Sequence, residues 1–280
     1  MDAELFQEIA RLAGPTERVL RANQLIAEYQ ATVAEISRLR REALEELMAS
    51  GRTQTEIAAE LGMTRARVGQ LLSSCPRPER AFLGTGTITV ALGGKREANS
   101  RGAGRVVAQE DMKAYDHLRE LAKSFSLNTT YETVEPPGML NLNRDNLIVI
   151  CGPRLSPLLA QVLESDRSLG FENDHQGWHL VDRVTEAIHR SPMDIGQHRD
   201  YAYLGRLPRL DGRGLFLYIA GIHAMGAACV IHYLENNLAE LYSEVKIRRF
   251  STLISGDFDS ETLEVSSSRR LTPLYRHENG

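Results

Sequence analysis

Gly51-Arg-Thr-Gln-Thr-Glu-Ile-Ala-Ala-Glu-Leu-Gly-Met-Thr-Arg-Ala-Arg-Val-Gly-Gln-Leu-Leu72 spells two short helices joined by a tight turn. Ile57, Ala58 and Leu61 recur as the apolar face of a short amphipathic helix, and Gly62 follows where a helix end takes positive φ. Thr64 offers a hydroxyl to cap the second helix. On that helix Val68, Leu71 and Leu72 turn inward, which leaves Arg65, Arg67 and Gln70 outside. Those side chains have the chemistry DNA requires: Arg can fork onto guanine O6 and N7, Gln can pair with adenine, and both can hold phosphates. With Thr53, Gln54 and Thr64 at the helix starts they form the expected DNA-binding set, and small Ala58 and Gly62 let the helices cross closely.

Glu56-Ile57-Ala58, Leu61-Gly62-Met63-Thr64 and Arg67-Val68-Gly69-Gln70-Leu71 together resemble the helix-turn-helix of sigma-70 region 4 and of related actinobacterial regulators over about twenty residues. The resemblance implies binding to double-stranded DNA. It does not imply sigma activity, because the polymerase-binding and other promoter-recognition regions of a complete sigma factor are not visible.

Working outward, residues 3 to 13 read as a short helix ended by Gly14-Pro15, with Pro15 opening a long helix that runs to Ala49. Along it Ala22, Ile26, Tyr29, Val33, Ile36, Ala43 and Leu47 recur at alternating steps of four and three, broken at Arg40. A stripe of that length exceeds what two short helices cover, so a homodimer presenting two helix-turn-helix units to a two-fold site is expected. The alternative is that the stripe folds back on its own unit.

Cys75-Pro76-Arg77-Pro78-Glu79-Arg80 cannot continue a helix. The chain is therefore expected to be multidomain: an all-α DNA-binding domain at 1–75 with the helix-turn-helix at 53–74, a Pro-rich linker at 76–81, and an α/β Rossmann-like domain at 82–280 for effector binding or dimerisation. In the last, strands are expected at Phe82–Leu92, Thr129–Val134, Asn146–Cys151, Trp178–Val181, Tyr201–Leu204, Gly214–Ala220 and Phe250–Ile254. Helices are expected at Gln109–Ser124, after Pro157 and at Ala227–Val245, a Gly-Gly turn at Gly93–Arg96, and a surface loop at 97–105. Asn146–Cys151 is a continuous apolar run, as a central parallel strand requires.

Ligands of open α/β sheets sit beyond the carboxyl ends of strands, where glycine turns and helix N-termini face an anion. Two such turns supply the expected ligand-binding set, Gly152, Arg154 and Ser156 in one and Gly221, His223 and Gly226 in the other, suited to a phosphate-bearing or nucleotide effector. Gly84-Thr85-Gly86 is a third candidate. The paired turns loosely resemble the Rossmann-like domains of lonely-guy phosphoribohydrolases. The nearest match to their signature, Ala220 to Val230, lacks its Thr and carries Val230 at the catalytic Glu position, so the expectation is a sensor and not an enzyme. A nucleotide hydrolase whose helical part serves oligomerisation is the alternative.

No catalytic set, metal site or cofactor is assigned. His175 and His179 flank a turn, His223 and His232 lie across a turn and a helix with no third ligand, and Ser156 has no His/Asp partner by spacing. Asp182, Asp194 and Asp200 read as solvated turn or strand-end positions, with a ligand contact as the alternative for Asp200, whose Tyr201 neighbour leads into a strand, and Cys151 and Cys229 read as small core residues. The 280 residues carry 42% hydrophobic and 25% charged side chains and a net charge of −4, which argues against nonspecific coating of nucleic acid. Between Arg38 and Arg80 eight Arg face six Glu, so any DNA contact is local. Three scattered cysteines, an acidic start without a signal peptide, and no membrane-length apolar run place the chain in the cytoplasm away from membranes.

Overall fold

The computed structural model describes residues 2–96, 104–135 and 137–277, with side chains at all of these except 2–5, 96 and 105. Two compact units divide at Pro78/Glu79. The first contains α1 (Asp2–Arg11), α2 (Pro15–Ala49), α3 (Gln54–Glu60) and α4 (Arg65–Ser74). Pro15 occupies the first turn of α2, where its missing N–H costs nothing. The C-terminal part of α2 supplies Leu44 to a small core with Ile57 and Ala58 of α3 and Val68 and Leu71 of α4. Farther up α2 the stripe stays open: Ile26, Tyr29, Val33 and Ile36 are each at least half exposed.

The second unit opens with α5 (Arg80–Leu83) and continues β1 (Thr87–Arg96), β2 (Arg105–Val107), α6 (Gln109–Ser124), β3 (Asn128–Val134), β4 (Leu147–Ile150) and α7 (Pro157–Leu163). Then come β5 (Leu169–Asp174), β6 (Gly177–Asp182), β7 (Ala187–His189), β8 (Arg199–Pro208), β9 (Leu215–Gly221), α8 (Met225–Val245), β10 (Phe250–Phe258), β11 (Val265–Arg270) and β12 (Tyr275–Arg276). The main sheet runs β11-β10-β8-β9-β4-β1-β2, with β3 also on β1 and β12 also on β10. β3, β1, β4 and β9 are parallel, whereas β8, β10 and β11 are antiparallel.

The N-terminal helices, long α2 among them, are thus followed by a mixed-sheet α/β unit. The mixture has a local cause: β8 reaches β9 through the short Arg209–Gly214 turn, and a connection that short joins only antiparallel neighbours. Strand alternation sorts the core into two faces. Ile88, Val90, Ile148, Ile150, Leu217 and Ile219 pack under α6 and α8. Ala91, Val149, Tyr203, Tyr218 and Leu253 face α7 and the separate β5-β6-β7 sheet.

Several sequence expectations need correction. Residues 80–83 form helix α5, in which buried Arg80 also donates to the Ser126 carbonyl at 3.4 Å; the expected linker therefore ends in α5, and the strand expected from Phe82 starts at Thr87. Gly93–Arg96 is not a turn but the end of β1. A Cβ at Gly93 would meet Cys151 Sγ at 3.0 Å and one at Gly94 would meet Thr133 Cγ2 at 2.5 Å, so these glycines admit close neighbours. The expected loop falls largely on 97–103, outside the described residues, and Arg105 belongs to β2. Tyr201–Leu204 is the middle of a ten-residue strand, and Trp178–Val181 lies in the small sheet.

A helical surface and a strand-end cleft

In α3, Thr53 Oγ1 accepts from Glu56 N at 3.3 Å while Glu56 Oε2 accepts from Thr53 N at 2.8 Å, a reciprocal capping box. These bonds hold the Glu56 carboxyl below its usual range. Thr64 Oγ1 caps α4 by accepting from Arg67 N at 3.1 Å. Gly62 between them has φ +64, which favours glycine. Apart from its chain neighbours, nothing lies within 4 Å of a Cβ placed at Gly62, so its contribution is the turn and not the close crossing expected of it. That approach is made at Gly69, whose Cβ position faces Gln54 Oε1 at 3.8 Å. Gln54 is half-buried there, whereas Arg65, Arg67 and Gln70 are exposed. Arg67 Nη1 donates to Gln70 Oε1 at 2.7 Å, so these two side chains present one joined donor surface.

β4 and β9 are parallel neighbours, and their carboxyl ends bring the two glycine turns together. Gly152, Arg154, Gly221 and His223 line one cleft with Lys95 from β1 and Asp111 from α6. Its cavity is about 30 Å³, room for about two waters. Ser156 and Gly226 do not line it. Ser156 is buried, donates to the Gly138 carbonyl at 2.7 Å and caps α7 by accepting from Leu159 N. Gly226 is buried beneath Gly221, and a Cβ on it would stand 2.6 Å from Gly221 Cα. Gly84-Thr85-Gly86 precedes β1, where Thr85 N donates to Asn146 Oδ1 at 2.9 Å just before β4. It therefore sits at the amino ends of the parallel strands, away from the cleft.

Asp111 carries the strongest electrostatic signature of the cleft. Burial, then neighbouring Glu110, pushes its carboxyl up from 3.8 to about 7, against the pull of Lys95 and Arg154. Burial also pushes the Cys151 thiol to about 12, which keeps it protonated and inert. His223 Nε2 lies 2.8 Å from Asp194 Oδ1, and His223 N donates to Asp200 Oδ2 at 3.1 Å.

Asp200 stands at the start of β8, a strand end as expected, but it is not solvated. It is fully buried, accepts from Ser191 Oγ at 2.7 Å, and burial lifts its carboxyl to about 6. Asp182 is buried too, accepting from Tyr275 Oη at 2.7 Å. His179 contacts Arg190 and His232 contacts Ser268; among the described residues no cluster of His, Cys, Asp or Glu suits a metal.

Lys95 and Asp111 are the charged lining residues that the sequence did not point to. Asp111 sits in the first turn of α6, where an acidic residue is explained by the helix dipole alone, so nothing local marks it out. Among the described residues no helix is long and apolar enough to cross a membrane. Comparison with family models, with curated proteins and with solved structures returns no match.

Proposed function

We propose that this protein is a DNA-binding transcription regulator, with α3 and α4 forming a helix-turn-helix and the strand-end cleft of the second unit taking a small anionic effector. The observation that carries the reading is the division of α4: Val68 and Leu71 are buried, while Arg65 and the joined Arg67–Gln70 pair stand exposed beside a capped N-terminus. A plain helical hairpin has no need of two Arg and a Gln on one face. In this reading Arg67 reads a base edge with Gln70 holding its guanidinium, and Arg65 contacts phosphate.

Selection of genomic fragments by the full chain tests the reading. Enrichment of one sequence class is expected. Arg67→Ala should weaken that binding by about 1–3 kcal/mol and relax specificity, whereas Arg65→Ala should weaken all sequences alike and lower the salt slope by about 1. No enrichment above nonspecific binding would end the assignment.

Lys95, Arg154 and the backbone around Gly152 and Gly221 suit the anionic part of an effector, and Asp111 suits a donor group on it. A cavity of about 30 Å³ must widen to admit a phosphate, so binding and conformation are coupled, as a sensor requires. We infer that the cleft binds without turnover. The rival reading, a nucleotide hydrolase, draws on the His223–Asp194 pair beside Asp111; release of product from nucleoside monophosphates by the full chain would favour it.

A further inference from the structure

The open stripe of α2 does not depend on the DNA-binding reading and points to a partner of its own. Starting the heptad at Val19, positions a and d are Val19, Ala22, Ile26, Tyr29, Val33 and Ile36, before Arg40 breaks the pattern. Its large members are exposed by between 50% at Tyr29 and 61% at Val33. An apolar row this long facing water marks a surface that is covered in the working molecule.

We propose that a second copy of this chain covers it, the two α2 helices pairing as a parallel, two-stranded coiled coil over Val19–Ile36. Three features select this occupant. The flanking e and g positions are Asn23, Leu25, Gln30, Thr32, Ser37 and Leu39, none of them charged, so identical helices meet without repulsion. The charged side chains of the stretch lie at c and f and are engaged within their own chain: Arg21 with Glu8, Glu28 with Gln24, and Arg38 with Glu35. The three a positions, Val19, Ile26 and Val33, are all β-branched, the a-position half of the pattern that favours two parallel strands, while the d positions are Ala22, Tyr29 and Ile36 and not Leu.

The pairing also has a defined end. Arg40 directs its guanidinium to Cys75 Sγ at 3.6 Å, and beyond it Leu44 is committed to the core with α3 and α4. A groove of about 590 Å³ includes part of the pairing face itself, Ile26, Tyr29 and Val33, together with Arg40 of α2 and Arg67 and Leu71 of α4.

Sedimentation and cysteine cross-linking of the full chain test the proposal. Wild type is expected at twice the chain mass of 31.2 kDa. The double variant Ile26→Glu, Val33→Glu is expected at the single-chain mass with its far-ultraviolet spectrum retained, since both side chains are exposed within one chain. Tyr29→Cys at a d position should form a disulfide-linked dimer under mild oxidation, and Glu28→Cys on the outer face should not. A single-chain mass for wild type, or a double variant that stays dimeric, would overturn the pairing. Dimers that form without the Tyr29→Cys cross-link would overturn the parallel register.

Discussion

At the scale of single residues, the cleft's carboxyl makes a prediction with a definite sign. Asp111 is raised from 3.8 to about 7, chiefly by burial. A carboxyl whose folded pKa exceeds its unfolded one is penalised where it is ionised, so its contribution is most favourable below pH 4 and is lost as pH rises towards 7. Asp111→Asn removes that penalty. Thermal unfolding should show a gain on the order of 2 kcal/mol at pH 8, after allowance for partial solvent screening, that fades to nothing at pH 4. An equal gain at both pH values would refute the cause given. Of the cleft, Gly152, Arg154, Gly221 and His223 were legible because a glycine or a charged residue directly after an apolar strand marks a strand end. Asp111 and Lys95 were not, because they come from β1 and α6 and no spacing links them to those turns. Asp200 reads as a solvated strand end because a lone Asp where a strand starts is usually exposed; only the packing of Ser191, His223 and Gly226 around it makes it a buried acceptor.

At the scale of elements, the caps and the turn of the α3–α4 pair are legible because they are local chemistry, whereas Leu61, expected on the inner face, is exposed. Thr64→Ala should cost about 1 kcal/mol in urea unfolding by leaving the Arg67 N–H without its cap. It should also loosen the α4 N-terminus from which Arg65 and Arg67 project; unchanged stability would mean the cap bond adds nothing in solution. The β1 strand shows the opposite case. Gly93-Gly94 carries a turn signal in isolation, yet β1 is flanked by β3 and β4 and crowded by Cys151, Leu155 and Thr133. The absence of side chains is what lets it run on. Replacing Gly94 with Val would drive Cβ into Thr133 and is expected to be severely destabilising, on the order of several kcal/mol.

At the scale of the whole molecule, the second unit is closed by its C-terminal segment. β12 pairs β10, Tyr275 Oη donates to Asp182 of the small sheet at 2.7 Å, and His277 Nε2 lies 2.9 Å from Ser251 Oγ. The segment thus ties the three-stranded sheet to the main one. Tyr275→Phe should cost about 1–2 kcal/mol, because Asp182 loses a donor while remaining buried. Limited proteolysis should then cut first around the small sheet; cleavage elsewhere would show that the tie is not what holds it. By itself the sequence determined what is set by short-range sterics and burial pattern: the capped helix pair, the long helix and its stripe, the buried runs of β4 and β9, and the glycines that end them. Tertiary structure alone decided which strands neighbour one another and in which direction, that α6 and β1 bring Asp111 and Lys95 to turns far away in the chain, and that Asp182 and Asp200 are interior. The reason is that periodicity records whether a side chain is buried, while the identity of what buries it depends on contacts between segments that share no local signal.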